Sequence, residues 1–223
     1  MIPYNLIRSQ RKTLSLYIRN GMLEVRAPIV YPKSKIEKFI KLKEKWILEN
    51  ISHSRSISQI RAKFSINYGD TILLLGREYK LIKSEKGQTG FIDCFYIPPN
   101  LSPPQIKAEC IKIYRLLAKQ HFNKRVNYFS LQMGVAPLSV KVNGARTRWG
   151  SCSYKKNINF TWFLIMAPED TIDYVIVHEM AHLTEMNHSP KFWAIVENIL
   201  PDYQKRRDAL KVLQKRLNTE NWN

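Results

Sequence analysis

The chain has 223 residues, 44% of them hydrophobic and 24% charged, with 36 Lys and Arg against 18 Asp and Glu and a formal net charge of +18. That length supports one sizeable hydrophobic core or two small ones, and the composition excludes a disordered or fibrous chain. No run approaches the ~18 consecutive apolar residues of a membrane span, the amino terminus lacks an apolar export segment, and Cys94, Cys110 and Cys152 are too widely spaced for a disulfide framework or a Cys-x-x-Cys knuckle, so a cytoplasmic protein with no membrane partner is expected.

In chain order, the first hundred residues read mainly as strands. TLSLYI and MLEVRA flank Asn20-Gly21, the strongest short hairpin signal. TILLLG and REYKLI form a second hairpin turning near Gly76 and Arg77, and FIDCFYI a further strand. One helix interrupts them, from about Ser34, its cap, to Asn50. The segment PPNLSPP, Pro98 to Pro104, fits neither a helix interior nor a central strand and marks a boundary, giving a mainly β subdomain over 1–100 and a second domain over 101–223. Beyond it, Gln105 to about Gln132 carries apolar residues at helical spacing, and Gly134 stops it. LSVKV and INFTWFLIM are strand-like, separated by the loop NGARTRWGSCSYKKN. Pro168 opens a helix through PEDTIDYVIVHEMAHL, Ser189-Pro190 opens another through KFWAIVENIL, and a basic helix follows Pro201. The fold class is therefore α+β, a strand-rich amino-terminal half with one helix followed by a helical and β second half.

Two stretches concentrate the positive charge, Lys33 to Lys45 and Gln204 to Arg216. Both also carry apolar residues at helical spacing, so a solvated helix face is the simpler reading, beside that of a surface for nucleic acid or another polyanion.

The run VIVHEMAHLTEMNHS, Val175 to Ser189, holds three of the five histidines. Residues four apart on an α-helix differ by about 40° in azimuth and about 6 Å in rise, so His178 and His182 present their rings to one point. Glu179 lies about 100° round from His178, too far to ligate easily but close enough to hold a water on the same ion. This is the content of His-Glu-x-x-His: two neutral imidazoles grip zinc, and the carboxylate takes a proton from its water. Accidental matches number on the order of 0.006 for this composition. A catalytic zinc, one per chain, generally has three protein ligands. His188 is the leading third ligand, and it needs a bend, since a continuous helix would carry it about 9 Å past His182. Asn187 best tolerates a left-handed stop there, and Ser189-Pro190 restarts a helix. Glu197 on that next helix is the rival ligand. The remaining histidines, His53 and His121, are expected to be structural or exposed. The spacing also matches the metzincin count, but Glu185 stands where the metzincin turn glycine would be.

The combination of RTRWGSCS (Arg146 to Ser153), INFTWFLIMAP, IDYVIVHEMAHLTEMNHSPKFW and PDY (Pro201 to Tyr203) resembles the YgjP-like metallopeptidase domain, with more distant similarity to the SprT/Spartan and WLM zincin groups. LEVRAP and GDTILLLGREYKL extend the resemblance into the first half. It implies a zincin-like second half with His178, His182 and His188 as zinc ligands and Glu179 as catalytic base. In such folds a strand crosses the metal cleft and pairs with an extended peptide, for which INFTWFLI, Ile158 to Ile165, is the candidate. Arg146 or Arg148 could stabilise the oxyanion at the attacked carbonyl, with structural packing of the whole loop as the alternative; Tyr203 is another candidate donor. Cys152 is not needed as a nucleophile where metal activates water. Asp173 is either an outer partner of the metal histidines or a first-turn carboxylate favoured by the helix dipole.

The expected function is zinc-dependent hydrolysis of peptide bonds in a peptide or protein substrate. The alternatives are a metal-dependent nucleotide phosphoanhydride hydrolase, for which no Gly-rich phosphate loop speaks, and a nucleic-acid-associated protein whose zinc is structural.

Overall fold

The computed structural model describes residues 2–85 and 87–222. The chain folds as two units, one running from the amino terminus to Phe64 and including Leu217–Asn221, the other Ser65–Arg216 with Trp222. The class is mixed α+β, as expected, with six helices and three small sheets among the described residues.

In the first unit, β1 (Tyr4–Ser9), β2 (Ser15–Arg19) and β3 (Met22–Pro28) form a sheet of order β1-β3-β2. The β2–β3 hairpin turns at Asn20 and Gly21, both with positive φ (51° and 71°), the backbone that a two-residue turn demands. Leu23, Val25 and Ala27 alternate inward from β3 and pack with Ile36, Ile40 and Ile47. The single helix expected here is two: α1 (Lys33–Leu42), capped at Pro32 rather than Ser34, and α2 (Glu44–Lys63), separated by a break at Lys43. The second half of α2 is serine-rich and buries little, which hides it from periodicity. A tertiary contact helps hold it, the Gly21 N–H donating to Ser54 Oγ (3.1 Å).

In the second unit, β4 (Thr71–Leu74), β5 (Arg77–Lys83), β6 (Gly90–Phe91) and β7 (Phe95–Ile97) make a sheet of order β4-β5-β7-β6. Its first hairpin turns at Leu75 and Gly76, one residue earlier than the sequence suggested, with φ of 49° and 76°. The strained Leu75 is held because its N–H donates to the Ile165 carbonyl (2.8 Å) and that of Gly76 to the Met166 carbonyl (3.1 Å). The long helix α3 (Pro103–Met133) begins at a Ser102–Gln105 capping box with proline at its first turn and ends at Gly134, as the sequence indicated. One face, from Ile106 through Cys110, Tyr114, Ala118, Phe122 and Val126 to Phe129, is buried.

The third sheet positions the site. Its strands, β8 (Ser139–Asn143), β9 (Gly150–Cys152) and β10 (Asn157–Thr161), have the order β8-β10-β9. β10 is therefore paired on both sides, which contradicts the expectation that INFTWFLI offers an open edge; β8 and β9 are the edges, and β9 is the one beside α4. Nor does the strand reach Ile165. Trp162–Met166 is a 3-10 helix with all five residues buried, because the carbonyls of Ile165 and Met166 serve the hairpin turn above. Then follow α4 (Glu169–Ala181), α5 (Pro190–Ile199) and α6 (Tyr203–Thr219). Many basic side chains of α6 are tied down: Arg206 to Asp202 (2.8 Å), Lys211 to Asp208 (2.7 Å) and Arg216 to Glu78 (2.9 Å). No helix among the described residues is long and apolar enough to cross a membrane.

Candidate metal centre

α4 is hydrophobic almost all round and buries Ile172, Val175, Ile176, Val177 and Met180. On this rigid element His178 and Glu179 occupy the last turn, and His182 is the residue that ends the helix. The chain then folds back through a short turn in which the Thr184 and Glu185 N–H groups both donate to the Ala181 carbonyl (3.1 and 2.9 Å). Asn187 contributes differently from the expectation. It does not adopt a left-handed backbone; its Oδ1 accepts the Ser189 N–H (2.9 Å), a local side-chain turn. Ser189 then caps α5 by accepting the Phe192 N–H (3.3 Å), with Pro190 at the first helical position.

The result brings His178, His182 and His188 together, with one donor nitrogen from each all within 4.8 Å of one another. Glu197, the rival third ligand, is exposed on α5 and outside this group. The Nδ1 of His182 lies 3.0 Å from the Glu185 carbonyl, an obligate acceptor, so Nδ1 carries the proton and the Nε2 lone pair is free for a ligand role. The Nε2 atoms of His178 and His188 are 3.1 Å apart. Two nitrogens bound to one tetrahedral zinc at about 2.0–2.1 Å would lie roughly 3.4 Å apart, so the spacing fits a shared ion. Burial, reinforced by His182 and His188, pushes the His178 pKa down to about 3, and burial also lowers that of His182. Both rings are thus neutral, as metal ligands must be.

All three imidazoles pack on Phe192, which is fully buried; its ring centre lies 4.9 Å from that of His178, 4.5 Å from His182 and 4.7 Å from His188. Trp193 extends this aromatic wall to 5.9 and 5.8 Å from His178 and His188. Tyr203 stacks on Trp193 (5.3 Å) and Tyr174 (6.3 Å), two rings whose centres each lie 5.9 Å from that of His178.

Glu179 is buried, only 6% exposed, beside β9. Burial raises its carboxyl to a pKa of about 7, against the opposing pull of the Arg148 guanidinium and the Cys152 backbone N–H. The loop Arg146 to Ser153 therefore meets the metal helix, but its two arginines diverge. Arg146 lies over the Phe163 ring at 5.2 Å, whereas Arg148 is exposed within electrostatic reach of Glu179. Burial first, then Glu179, raises the Cys152 thiol above its usual pKa, which makes it a poor nucleophile. The Asp173 carboxylate takes a two-pronged ion pair from Arg125 of α3, at 2.6 and 2.7 Å. His53 is exposed and His121 half-buried near Glu169. The sequence reading missed Phe192 and Gly150; the only trace of the first is the apolar pair Phe192-Trp193 just inside a helix start that follows a histidine.

The family model for the YgjP-like metallopeptidase domain matches residues 12–213. Among solved structures, the chain is similar to the metallopeptidase zymogen abylysin of Pyrococcus abyssi, with 20% identity over 45% of this chain and 97% of that one and a TM-score of 0.39. It is also similar to the zymogen jannalysin of Methanocaldococcus jannaschii, with 21% identity, 42% and 95% coverage and a TM-score of 0.37. No curated protein matches the chain.

Proposed function

The chain belongs to the YgjP-like metallopeptidase family, and from that membership we propose that it is a zinc-dependent peptidase whose metal is held by His178, His182 and His188, with Glu179 as general base. The observation that carries this reading is the convergence of three imidazole nitrogens within 4.8 Å next to a buried carboxylate. Zinc bound there would polarise the scissile carbonyl and acidify a water molecule.

The chain's own groups do the rest. The Glu185 carbonyl fixes the His182 tautomer and ring plane, and Phe192 keeps the three rings from rotating out of register. Glu179, kept close to neutral pH in affinity for protons by its burial, removes the proton of the attacking water and passes it to the nitrogen of the departing amine. Arg148, exposed and near Glu179, is the better placed of the two loop arginines to meet negative charge at the attacked carbonyl. Tyr203, stacked on Trp193, stiffens the aromatic wall.

The test is Glu179→Gln, assayed on a quenched fluorescent peptide mixture with zinc supplied. The variant is expected to keep the metal and lose turnover by at least about 100-fold, the low end of what a general base contributes. Wild-type turnover in that variant would remove Glu179 from the chemistry.

A further inference from the structure

The eight glycines of the chain divide by the reason for their presence. Gly21, Gly69, Gly76, Gly87 and Gly134 have positive φ, so their backbone asks for glycine. Gly150 does not. Its backbone suits any residue, yet a methyl group on its α-carbon would lie 2.6 Å from Glu179 Cγ, 2.7 Å from Oε1 and 2.8 Å from Cδ. The first residue of an edge strand is therefore bare at the point where Glu179 needs the space.

The strand pairing explains how this comes about. The Thr161 N–H donates to the Trp149 carbonyl (2.9 Å) and the Ser153 N–H to the Asn157 carbonyl (2.9 Å), so these flanking residues turn their polar groups toward β10. By the alternation of an antiparallel ladder, Gly150 and Cys152 turn theirs to the outer edge. There the Cys152 N–H donates to the Glu179 carboxylate. The same edge thus offers the carboxylate one donor and, two residues earlier, a gap.

We propose that Gly150 is a positioning residue for Glu179: its missing side chain lets the edge of β9 close over the carboxyl group, so that the Cys152 N–H can hold it in one orientation beside the metal histidines. This deepens the peptidase reading and rests on it. Gly150 has no side chain to offer and acts through Glu179. Because the atoms in the way belong to a side chain and not to backbone, Gly150→Ala should fold, with the displacement falling on Glu179. A misplacement on the order of 1 Å at a reacting group costs about 100-fold in rate.

The experiment compares zinc-loaded wild type, G150A, E179Q, E179A and G150A/E179A on one quenched fluorescent peptide mixture, with zinc content and melting temperature measured for each. G150A is expected to lose about 100-fold in kcat with KM, zinc content and fold kept. G150A should lower the melting temperature beside Glu179 and leave it unchanged in the E179A background, where Cγ, Cδ and Oε1 are all absent, a coupling that a general structural defect would not produce. Full kcat in G150A, or an equal fall in melting temperature in both backgrounds, overturns the proposal while an inactive E179Q leaves the peptidase reading standing. An E179Q variant with wild-type kcat removes Glu179 from the chemistry and the proposal with it, and a wild type without turnover overturns the peptidase reading itself.

Discussion

Phe192→Ala isolates the aromatic floor of the centre. Phe192 is 0% exposed and its ring touches all three histidine rings, at 4.5–4.9 Å between centres. Truncating a buried phenylalanine costs about 3–5 kcal/mol through lost transfer energy and the cavity left behind. At about 2–4 °C per kcal/mol for a chain of this size, the melting temperature of the metal-free protein should fall by about 6–20 °C. The imidazoles also lose the surface that fixes their planes, so zinc affinity should drop about 10–100-fold, as when supporting groups around metal ligands are removed. Denaturant unfolding of the metal-free variant and competition for zinc against a fluorescent chelator measure the two effects separately. Phe192→Leu, which keeps most of the apolar volume, should recover most of the stability and less of the affinity. A Phe192→Ala variant within about 1 kcal/mol of wild type and equal in zinc affinity would refute the role given to this ring.

Two other predictions concern the frame around the centre. Asp173→Asn should cost about 2–3 kcal/mol, toward or below the low end for breaking a buried pair, because 13% of the Asp173 and 23% of the Arg125 side chain remain exposed; urea unfolding reads this, and Arg125→Met with Asp173→Leu together should cost clearly less than either alone. Cys110 is fully buried, and burial raises its pKa from 9.0 to about 12. Between those values the unfolded chain releases a proton that the folded chain keeps, so stability falls as pH rises through this window. At about pH 10.5 the loss relative to neutral pH should be about 2 kcal/mol in wild type and absent from this source in Cys110→Ala, as measured by unfolding both across the range.

The parts of this account legible in the sequence are those encoded by local spacing. The period of an α-helix alone places His178 and His182 on one side of α4, and the Ser189-Pro190 cap signals a new helix start that returns His188 to them. The bend itself was foreseen for the wrong reason, since Asn187 works through its side chain and not through a left-handed backbone. The helix break at Lys43 and the serine-rich half of α2 escaped because propensity there is weak and tertiary contact decides. INFTWFLI reads as one strand, yet its second half becomes a 3-10 helix because a distant hairpin turn uses its carbonyls. Gly150 and Phe192 matter only through residues far along the chain, and no periodicity reports such contacts.

If three imidazoles hold one metal ion, zinc stoichiometry depends on each of them. Wild type and His182→Ala, purified without chelators, dialysed against buffered zinc and assayed by elemental analysis, should differ sharply. Close to one zinc per wild-type chain and a small fraction of that in the variant are expected. Wild-type protein that retains none, or a His182→Ala variant that binds as much as wild type, would contradict it.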